Sequence, residues 1–291
     1  MSERPRGLAA AWAAFILWGL FPVYFSWLKD VPVLQVIAHR VVWSCLVLAI
    51  VLAVRHEWTY LLAVLKNAAV MRRLALSALL ISVNWSVYVW GVTHGHVVEA
   101  SLGYFINPLV NVLLGVLVLS ERLNPAQWLA VLLAATGVAY LTVMTGAVPW
   151  IALTVALTFG LYGLVRKIVA VEALPGLAAE SLLMLPFAAG FLLWCQATGT
   201  GAFGHGGGWR TVLLLGCGPL SALPLFLFAY GARRIPYSLV GLIQYISPTL
   251  QLASGVLILH EPFERTRALG FALTWLALAV IATDSLLRGR R

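Results

Sequence analysis

The stretch EASLGYFINPLVNVLLGVLVLSE, residues 99–121, is repeated in altered form at residues 239–261, which read LVGLIQYISPTLQLASGVLILHE. The two stretches share an isoleucine, a proline, a glycine and a terminal glutamate in one register. Both are long and apolar, as membrane-spanning helices are. Duplicated apolar segments are typical of secondary carriers built from inverted repeats, which bind a solute where the two halves meet.

The composition places the chain in a membrane. Of its 291 residues, 62% are hydrophobic and only 10% are charged, whereas soluble domains carry about 25% charged residues. The net charge of +9 comes from basic residues in short stretches between apolar segments, so it indicates membrane orientation rather than nucleic-acid binding. The three cysteines lie in apolar runs without ligand spacing, and we expect no metal site and no cofactor.

The fold predicted is an all-α integral membrane protein of ten spanning helices, arranged as two inverted five-helix repeats over residues 1–145 and 149–291. A spanning helix needs roughly 20 mostly apolar residues. The predicted spans are 7–28, 33–54, 74–92, 97–119, 126–145, 149–168, 177–197, 211–231, 238–259 and 268–286.

The distribution of basic residues predicts the orientation. Most of the 19 lysines and arginines fall in the loops on the side of the N-terminus, so both termini are expected to be cytoplasmic. Because five is an odd number, the second half then begins on the opposite side from the first. Span 4 runs inward and span 9 runs outward, with lipid around both.

Polar residues form a stripe at helical spacing in each of the matched spans. They are Ser101, Tyr104, Asn107, Asn111 and Gly115 in span 4, and Gly241, Gln244, Ser247, Gln251 and Gly255 in span 9. Polar side chains are costly in hydrocarbon, so each stripe faces either a wet cavity or a packed neighbouring helix. Pro108 and Pro248 should interrupt their helices near the middle of the membrane, where they could serve in gating.

Further polar, aromatic and charged residues are candidates for the functional site. Asn84, Trp85 and Tyr88 give span 3 a polar and aromatic stripe, and Tyr245 lies opposite them in span 9. His39-Arg40 lies about two turns inside span 2, and an intramembrane arginine is a candidate for binding a carboxylate. Arg40 could instead snorkel to the surface or pair with Glu99.

Glu180 could accept a coupling proton or be an ordinary charge at a helix end. Glu121 and Glu261 are expected to pair with Arg122 or Arg265.

Several motifs in this sequence resemble those of a known transporter family. Trp18-Gly19 and the proline followed by a terminal glutamate in spans 4 and 9 are similar to EamA-type drug/metabolite transporters. His39-Arg40, Asn84-Trp85, EASLGYFINPL at 99–109 and QYISPT at 244–249 resemble the RarD subfamily. The resemblance implies a bacterial inner-membrane exporter with a central cavity, which carries amino acids, related metabolites or drugs.

The sequence therefore predicts an alternating-access secondary transporter of a small organic solute, and not an enzyme. Two alternatives remain: an uncoupled channel or facilitator, and a membrane-embedded enzyme. The expected partners are the solute and lipid, and spans 5 and 10 could form a homodimer contact. The candidate binding residues are His39, Arg40, Asn84, Trp85, Tyr88, Tyr104, Asn107, Asn111, Gln244 and Tyr245; the candidate coupling or gating residues are Glu99, Glu180, Pro108 and Pro248.

Overall fold

The computed structural model describes residues 3–93, 97–145 and 150–258, and short helical pieces between 268 and 284. Only the backbone is described at positions 89, 91–93, 97–102, 105, 141, 145, 252, 255 and 256. Over these residues the chain forms helices and no strand. In chain order they are α1 (Glu3–Gly19), α2 (Phe21–Ser26), α3 (Val33–Val54), α4 (Trp58–Lys66), α5 (Ala68–Thr93), α6 (Val97–Leu117), α7 (Pro125–Thr145), α8 (Trp150–Ile168), α9 (Ala173–Ala197), α10 (Gly208–Ala232), α11 (Tyr237–Gln244), α12 (Ile246–Ala253) and a π-helical turn (Ser254–Ile258).

Seven of the described segments are long and apolar enough to cross a bilayer. The chain is thus an all-helical, multi-pass membrane protein. The seven segments correspond to predicted spans 1, 2, 3, 5, 6, 7 and 8. Predicted span 4 is α6, and predicted span 9 is α11 with α12. Span 10, at 268–286, falls largely outside the described residues, so the total of ten stays a prediction.

The structure differs from the predicted spans at four starts and one loop. α1 begins at Glu3 rather than at 7 and α5 at Ala68 rather than at 74, and α9 and α10 also begin early. Leu174-Pro175-Gly176 falls between predicted spans 6 and 7, but it lies in the first helical turn of α9. Proline is tolerated there because its missing N–H would have no intrahelical acceptor. The 55–73 connection contains α4, which is too short to span and which buries Leu61 and Val64. α10 begins at Gly208, three residues before the predicted start.

Predicted span 9 is interrupted, whereas predicted span 4 is not. α11 ends at Gln244 and α12 begins at Ile246. Pro248 explains this break, since its nitrogen has no hydrogen to donate to the carbonyl of Gln244 one turn earlier. α6 continues through Pro108, so the loss of one hydrogen bond there does not end the helix. Span 1 also breaks, between Gly19 and Phe21, which the sequence reading did not anticipate.

α6 and α11 cross as antiparallel neighbours in close contact. Gly115, near the end of α6, lies against the start of α11, while Gly241 lies against Pro108 and Asn111 farther back along α6. A Cβ built on Gly241 would be 2.6 Å from the Pro108 carbonyl oxygen. Glycine is needed here because the two backbones approach so closely. The matched segments therefore run in opposite directions.

The N-terminus and the end of α6 lie at the same face of the bundle. Glu3 at the start of α1 pairs with Arg234, and Glu121 just beyond α6 binds the backbone N–H groups of Tyr237 and Ser238. Arg234 and Tyr237 flank one short turn, so these contacts fix a common surface. We call it the N-terminal face.

Replacement of Gly241 by alanine should lower the melting temperature of the purified protein in detergent. The new methyl group meets a backbone oxygen that cannot swing aside, and overpacking of this kind costs roughly 1–3 kcal/mol. Gly190 provides the matched control, because it is helical and a Cβ added there meets nothing within 4 Å. An equal melting temperature for Gly241→Ala and Gly190→Ala would contradict the close α6–α11 contact.

Candidate functional site

A cavity of about 350 Å³ lies among the spanning helices. Its walls come from helices that precede residue 146 and from helices that follow residue 149, so both matched halves of the chain contribute. Aromatic side chains dominate the lining, with a few polar groups among them. The described lining residues are Phe15, Trp18, Phe21, Pro22, Phe25, Leu28, Lys29, Val31, Val33, Val36, Ile37, Arg40, Ile81, Asn84, Trp85, Tyr88, Tyr104, Phe159, Leu225, Gln244, Ser247, Pro248 and Gln251.

The two ends of this cavity differ. At one end it reaches the exposed residues Lys29 and Val33, which lie at the α2–α3 turn. At the other end it meets a layer of aromatic rings whose centroids are 5.5 to 6.2 Å apart. We call this the aromatic layer; its members are Phe15, Trp18, Phe159, Tyr162 and Phe228. Phe228 and Tyr162 are fully buried, so the layer separates the cavity from the N-terminal face.

Beyond the aromatic layer, an ionic cluster holds three helix ends together. The Glu121 carboxylate accepts hydrogen bonds from the backbone N–H groups of Tyr237 and Ser238 and from the Ser238 hydroxyl. The Lys167 ammonium lies 3.9 Å from Glu121 and donates to the carbonyls of Ala232 and Ile235. We call this cluster the latch. Glu121 was expected to pair with Arg122 or Arg265; the described partner is instead Lys167, from the distant end of α8.

Arg40 lines the cavity in a partly aromatic setting. Its Nε donates to the Ser221 hydroxyl at 2.9 Å. Its guanidinium carbon lies 4.6 Å from the Trp85 ring centroid, and the Phe25 and Phe21 rings are within 5.7 Å. Among the described residues neither Nη atom has a hydrogen-bond partner. Arginine is thus held by one nitrogen and its aromatic neighbours, with its terminal fork left for a ligand.

Two tyrosines add unused hydroxyl groups to the same cavity. The rings of Tyr88 and Tyr104 meet edge to face, with centroids 5.3 Å apart, and both line the cavity. Within the described part of the chain, neither hydroxyl forms a hydrogen bond. Asn84 is different, because its amide nitrogen donates to the Val155 carbonyl at 2.7 Å and to Thr158. Only its amide oxygen is left for a solute.

Asn107, Asn111 and Gln244 form a hydrogen-bonded network across the α6–α11 contact. Asn111 Nδ2 donates to Gln244 Oε1 at 2.7 Å, and Gln244 Nε2 donates to Asn107 Oδ1 at 2.7 Å. Asn107 Nδ2 donates to the Ala156 carbonyl, and the Tyr237 hydroxyl lies 2.9 Å from Asn111 Oδ1. Only Gln244 reaches the cavity. The network uses most of the hydrogen-bonding groups of these amides to join helices.

The remaining candidate binding residues lie away from the described cavity lining. His39 is buried on another face of α3, where its Nδ1 accepts the Trp43 indole N–H at 3.0 Å. Its ring also lies near Phe203, in the glycine-rich loop between α9 and α10. That loop packs onto α3, since Gln35 binds the backbone at Thr200 and Ala202. Tyr245 is buried in the core, at the break between α11 and α12.

The candidate coupling residues are dispersed. Glu180 forms a fully buried ion pair with Arg166, with the charged atoms 3.6 Å apart, so it is not an ordinary exposed charge at a helix end. Neither residue is among those that line the cavity. Pro248 lines the cavity, whereas Pro108 is buried beneath Gly241. Glu99 falls in α6, but its side chain lies outside the described residues.

The sequence reading missed the aromatic segment 21–25 and the cation at the cavity mouth. Phe21, Pro22 and Phe25 come from α2, and Lys29 follows in the turn after that helix. The break after Gly19 turns this segment toward the cavity. Trp18-Gly19 and the aromatic run FPVYF beside it were the available signal, but only Trp18-Gly19 contributed to the prediction, through the family resemblance.

Comparison with known proteins identifies the class. A model of the EamA-like transporter family matches residues 5–143 and again residues 147–283. A solved crystal structure has the same fold, with a TM-score of 0.74 at 18% identity, over 95% of this chain and 97% of that one. The chain therefore belongs to the EamA-like transporter family, and it is a membrane transporter rather than an enzyme.

Individual relatives narrow the assignment within that family. An uncharacterised transporter of Pseudomonas aeruginosa is 44% identical over 96% of this chain and 94% of the relative. The protein RarD of Streptomyces exfoliatus is 41% identical over 100% of this chain and 92% of its own length. The chain is thus a member of the RarD subfamily, as its motifs indicated.

Stability should respond differently to the engaged amides and the unengaged tyrosines. Asn111→Leu strands the Gln244 amide oxygen in a buried site, which costs about 1–3 kcal/mol, so its melting temperature in detergent should fall. Tyr104→Phe removes only a hydroxyl without a described partner and should leave the melting temperature close to that of the wild type. Equal melting temperatures for the two variants would contradict the division between network and cavity.

Proposed function

We propose that the protein is a secondary active transporter that exports a small organic solute across the bacterial inner membrane by alternating access. The solute binds in the cavity beside Arg40, Tyr88 and Tyr104. The cavity then opens alternately to the two sides of the membrane. The N- and C-termini are cytoplasmic, and the two matched halves of the family model support a two-repeat organisation.

The unequal closure of the cavity carries this proposal. One end reaches exposed Lys29, while the other is separated from the N-terminal face by the aromatic layer and then by the latch. A carrier needs a central site that is closed on at least one side at any time. A channel needs a continuous path and a lining that lets the solute leave easily. The observed arrangement therefore favours a carrier in an outward-facing state.

The latch has the construction expected of a gate. Its two charged side chains are about four-fifths or more buried yet lie at the N-terminal face, where water can replace their contacts when the helix ends separate. It joins the loop after α6, the end of α8 and the turn before α11. To admit solute from the cytoplasm, the protein must separate these three elements and displace the aromatic layer.

Arg40→Ala should abolish transport and leave a folded protein. A solute for this assay is first identified by a thermal-shift screen of the wild-type protein against amino acids, aromatic carboxylates and drugs. A ligand that binds the folded protein raises the melting temperature of the protein. Counterflow of the labelled solute in proteoliposomes then compares the variant with Arg55→Ala, which removes an exposed ion pair with Glu57. Counterflow unchanged by Arg40→Ala would remove Arg40 from the site, and a steady solute current would indicate a channel.

Glu121→Ala should shift the protein toward a state open at the N-terminal face. The substitution removes the acceptor for two backbone N–H groups of α11 and the partner of Lys167, and all of these contacts are present only in the closed arrangement. Spin labels at Arg122 and Ile168, on either side of the latch, should report a longer distance component. Glu57→Ala, which breaks an unrelated ion pair, is the control; identical distance distributions in the two variants would contradict the gating role.

A further inference from the structure

We propose that the transported solute is an organic anion: a carboxylate on a compact, flat apolar body. This inference rests on the proposed transport function and narrows its substrate class. The family resemblance does not distinguish between anionic, zwitterionic, neutral and cationic solutes. The present inference selects the anions as the substrate class.

The charged side chains in the described lining of the cavity are of one sign. Arg40 and Lys29 both line it, and the described lining contains no aspartate or glutamate. A cation that faces an apolar, membrane-embedded cavity is poorly solvated, and an anionic solute supplies the missing charge. A zwitterion would bring an ammonium group as well. The described lining offers that group neutral oxygens, such as those of Asn84 and Ser247, and aromatic faces but no carboxylate, and it places the group within the field of Arg40.

The fixed geometry of Arg40 favours a carboxylate over other anionic or polar groups. Ser221 occupies Nε at 2.9 Å, and Trp85 stacks on the guanidinium at 4.6 Å. The two Nη atoms, which have no described partner, present parallel N–H groups. A planar carboxylate accepts such a pair in a bidentate arrangement, which is stronger and more directional than a single contact. The hydroxyls of Tyr88 and Tyr104 are further donors on the same cavity wall.

The remaining walls define the body of the solute. Phe15, Trp18 and Phe159 of the aromatic layer close the deep end, and Phe21 lies beside Arg40. Aromatic walls favour a flat apolar group through offset or edge-to-face contacts. A volume of about 350 Å³ is near the lower limit of small-molecule sites, which run from about 300 to 1,000 Å³. The cavity therefore suits a solute with one ring better than a large drug.

A matched set of four compounds tests the charge preference on the purified full-length protein. They share a phenyl ring and a three-carbon chain: 3-phenylpropanoate, 3-phenylpropanamide, 3-phenylpropylammonium and phenylalanine. Calorimetric titration in detergent should give the tightest binding for the carboxylate. Loss of a charge-assisted bidentate contact costs about 1.5–3 kcal/mol, so the amide should bind roughly tenfold to a hundredfold more weakly. The ammonium compound should bind least.

Variants then locate the preference at Arg40. In Arg40→Gln the affinity for 3-phenylpropanoate should fall to that for the amide, whereas Arg40→Lys should keep part of the difference because it keeps the charge without the fork. Ser221→Ala removes the partner of Arg40 Nε but retains the guanidinium, so the carboxylate should still bind most tightly of the four compounds. This variant remains a test of the ranking if Arg40→Gln is too unstable to purify. Lys29→Gln, at the mouth, should reduce the affinity only slightly and mainly at low salt.

The outcomes separate this inference from the proposed function. If the amide, the ammonium compound or phenylalanine binds wild-type protein more tightly than the carboxylate and also shows counterflow, the protein is a transporter but the anion proposal is wrong. If the carboxylate binds tightest but no compound shows counterflow, the anion site stands and the transport function fails. A carboxylate preference that survives Arg40→Gln overturns the assignment to Arg40.

Discussion

The close antiparallel contact of α6 with α11 is the constraint on which the rest of the structure depends. Gly241 lets the two backbones meet at Pro108, and the Asn111–Gln244 hydrogen bond joins the helices at 2.7 Å. Inside a bilayer no water replaces a broken contact of this kind, so buried amides must find partners within the protein. This crossing sets where Tyr104 and Gln244 reach the cavity. It also brings the start of α11 to Glu121, which makes the latch possible.

The polar groups near the middle of the membrane are of two kinds. The side-chain amides of Asn107, Asn111 and Gln244 form hydrogen bonds with other helices, and these bonds make the α6–α11 crossing rigid. Arg40 and the tyrosine hydroxyls have bonding capacity left over and face the cavity. A solute gains most from groups of the second kind, because contacts with engaged groups would require breaking existing bonds. The engaged amides nevertheless matter for transport, since they hold the walls of the cavity in place.

The spanning character of the chain could be predicted from the sequence, because it depends on local composition. The inverted repeat and the binding role of Arg40 stay predictions, drawn from register and from the cost of an intramembrane charge. The sequence reading placed Asn107 and Asn111 among the binding residues because a polar stripe looks the same whether it faces a cavity or a neighbouring helix. The break after Gly19 was missed although Pro22 gives a local reason for it, because the nitrogen of Pro22 has no hydrogen to donate to the carbonyl of Trp18 one turn earlier. Gly19 also lies close against Leu250. The Glu121–Lys167 pair joins residues far apart in the chain, and no spacing rule reveals it.

Two ion pairs that involve neighbouring residues of α8 differ in their exposure to solvent. This difference explains how one pair can stay intact while the other opens. Arg166 and Glu180 are almost completely buried. Separating such a pair leaves a charge without compensation, at a cost of about 3–5 kcal/mol, so α8 and α9 should move as one unit. Lys167, the next residue along α8, reaches the surface with Glu121, and both retain some exposure. Water can take over their contacts, so the α6 and α11 ends can part from α8. A shift of a two-state equilibrium from 1:99 to 99:1 needs about 5.5 kcal/mol of differential binding. Solute binding can provide this if opening the partly exposed latch costs little, whereas rupture of the buried pair would add about 3–5 kcal/mol to the requirement.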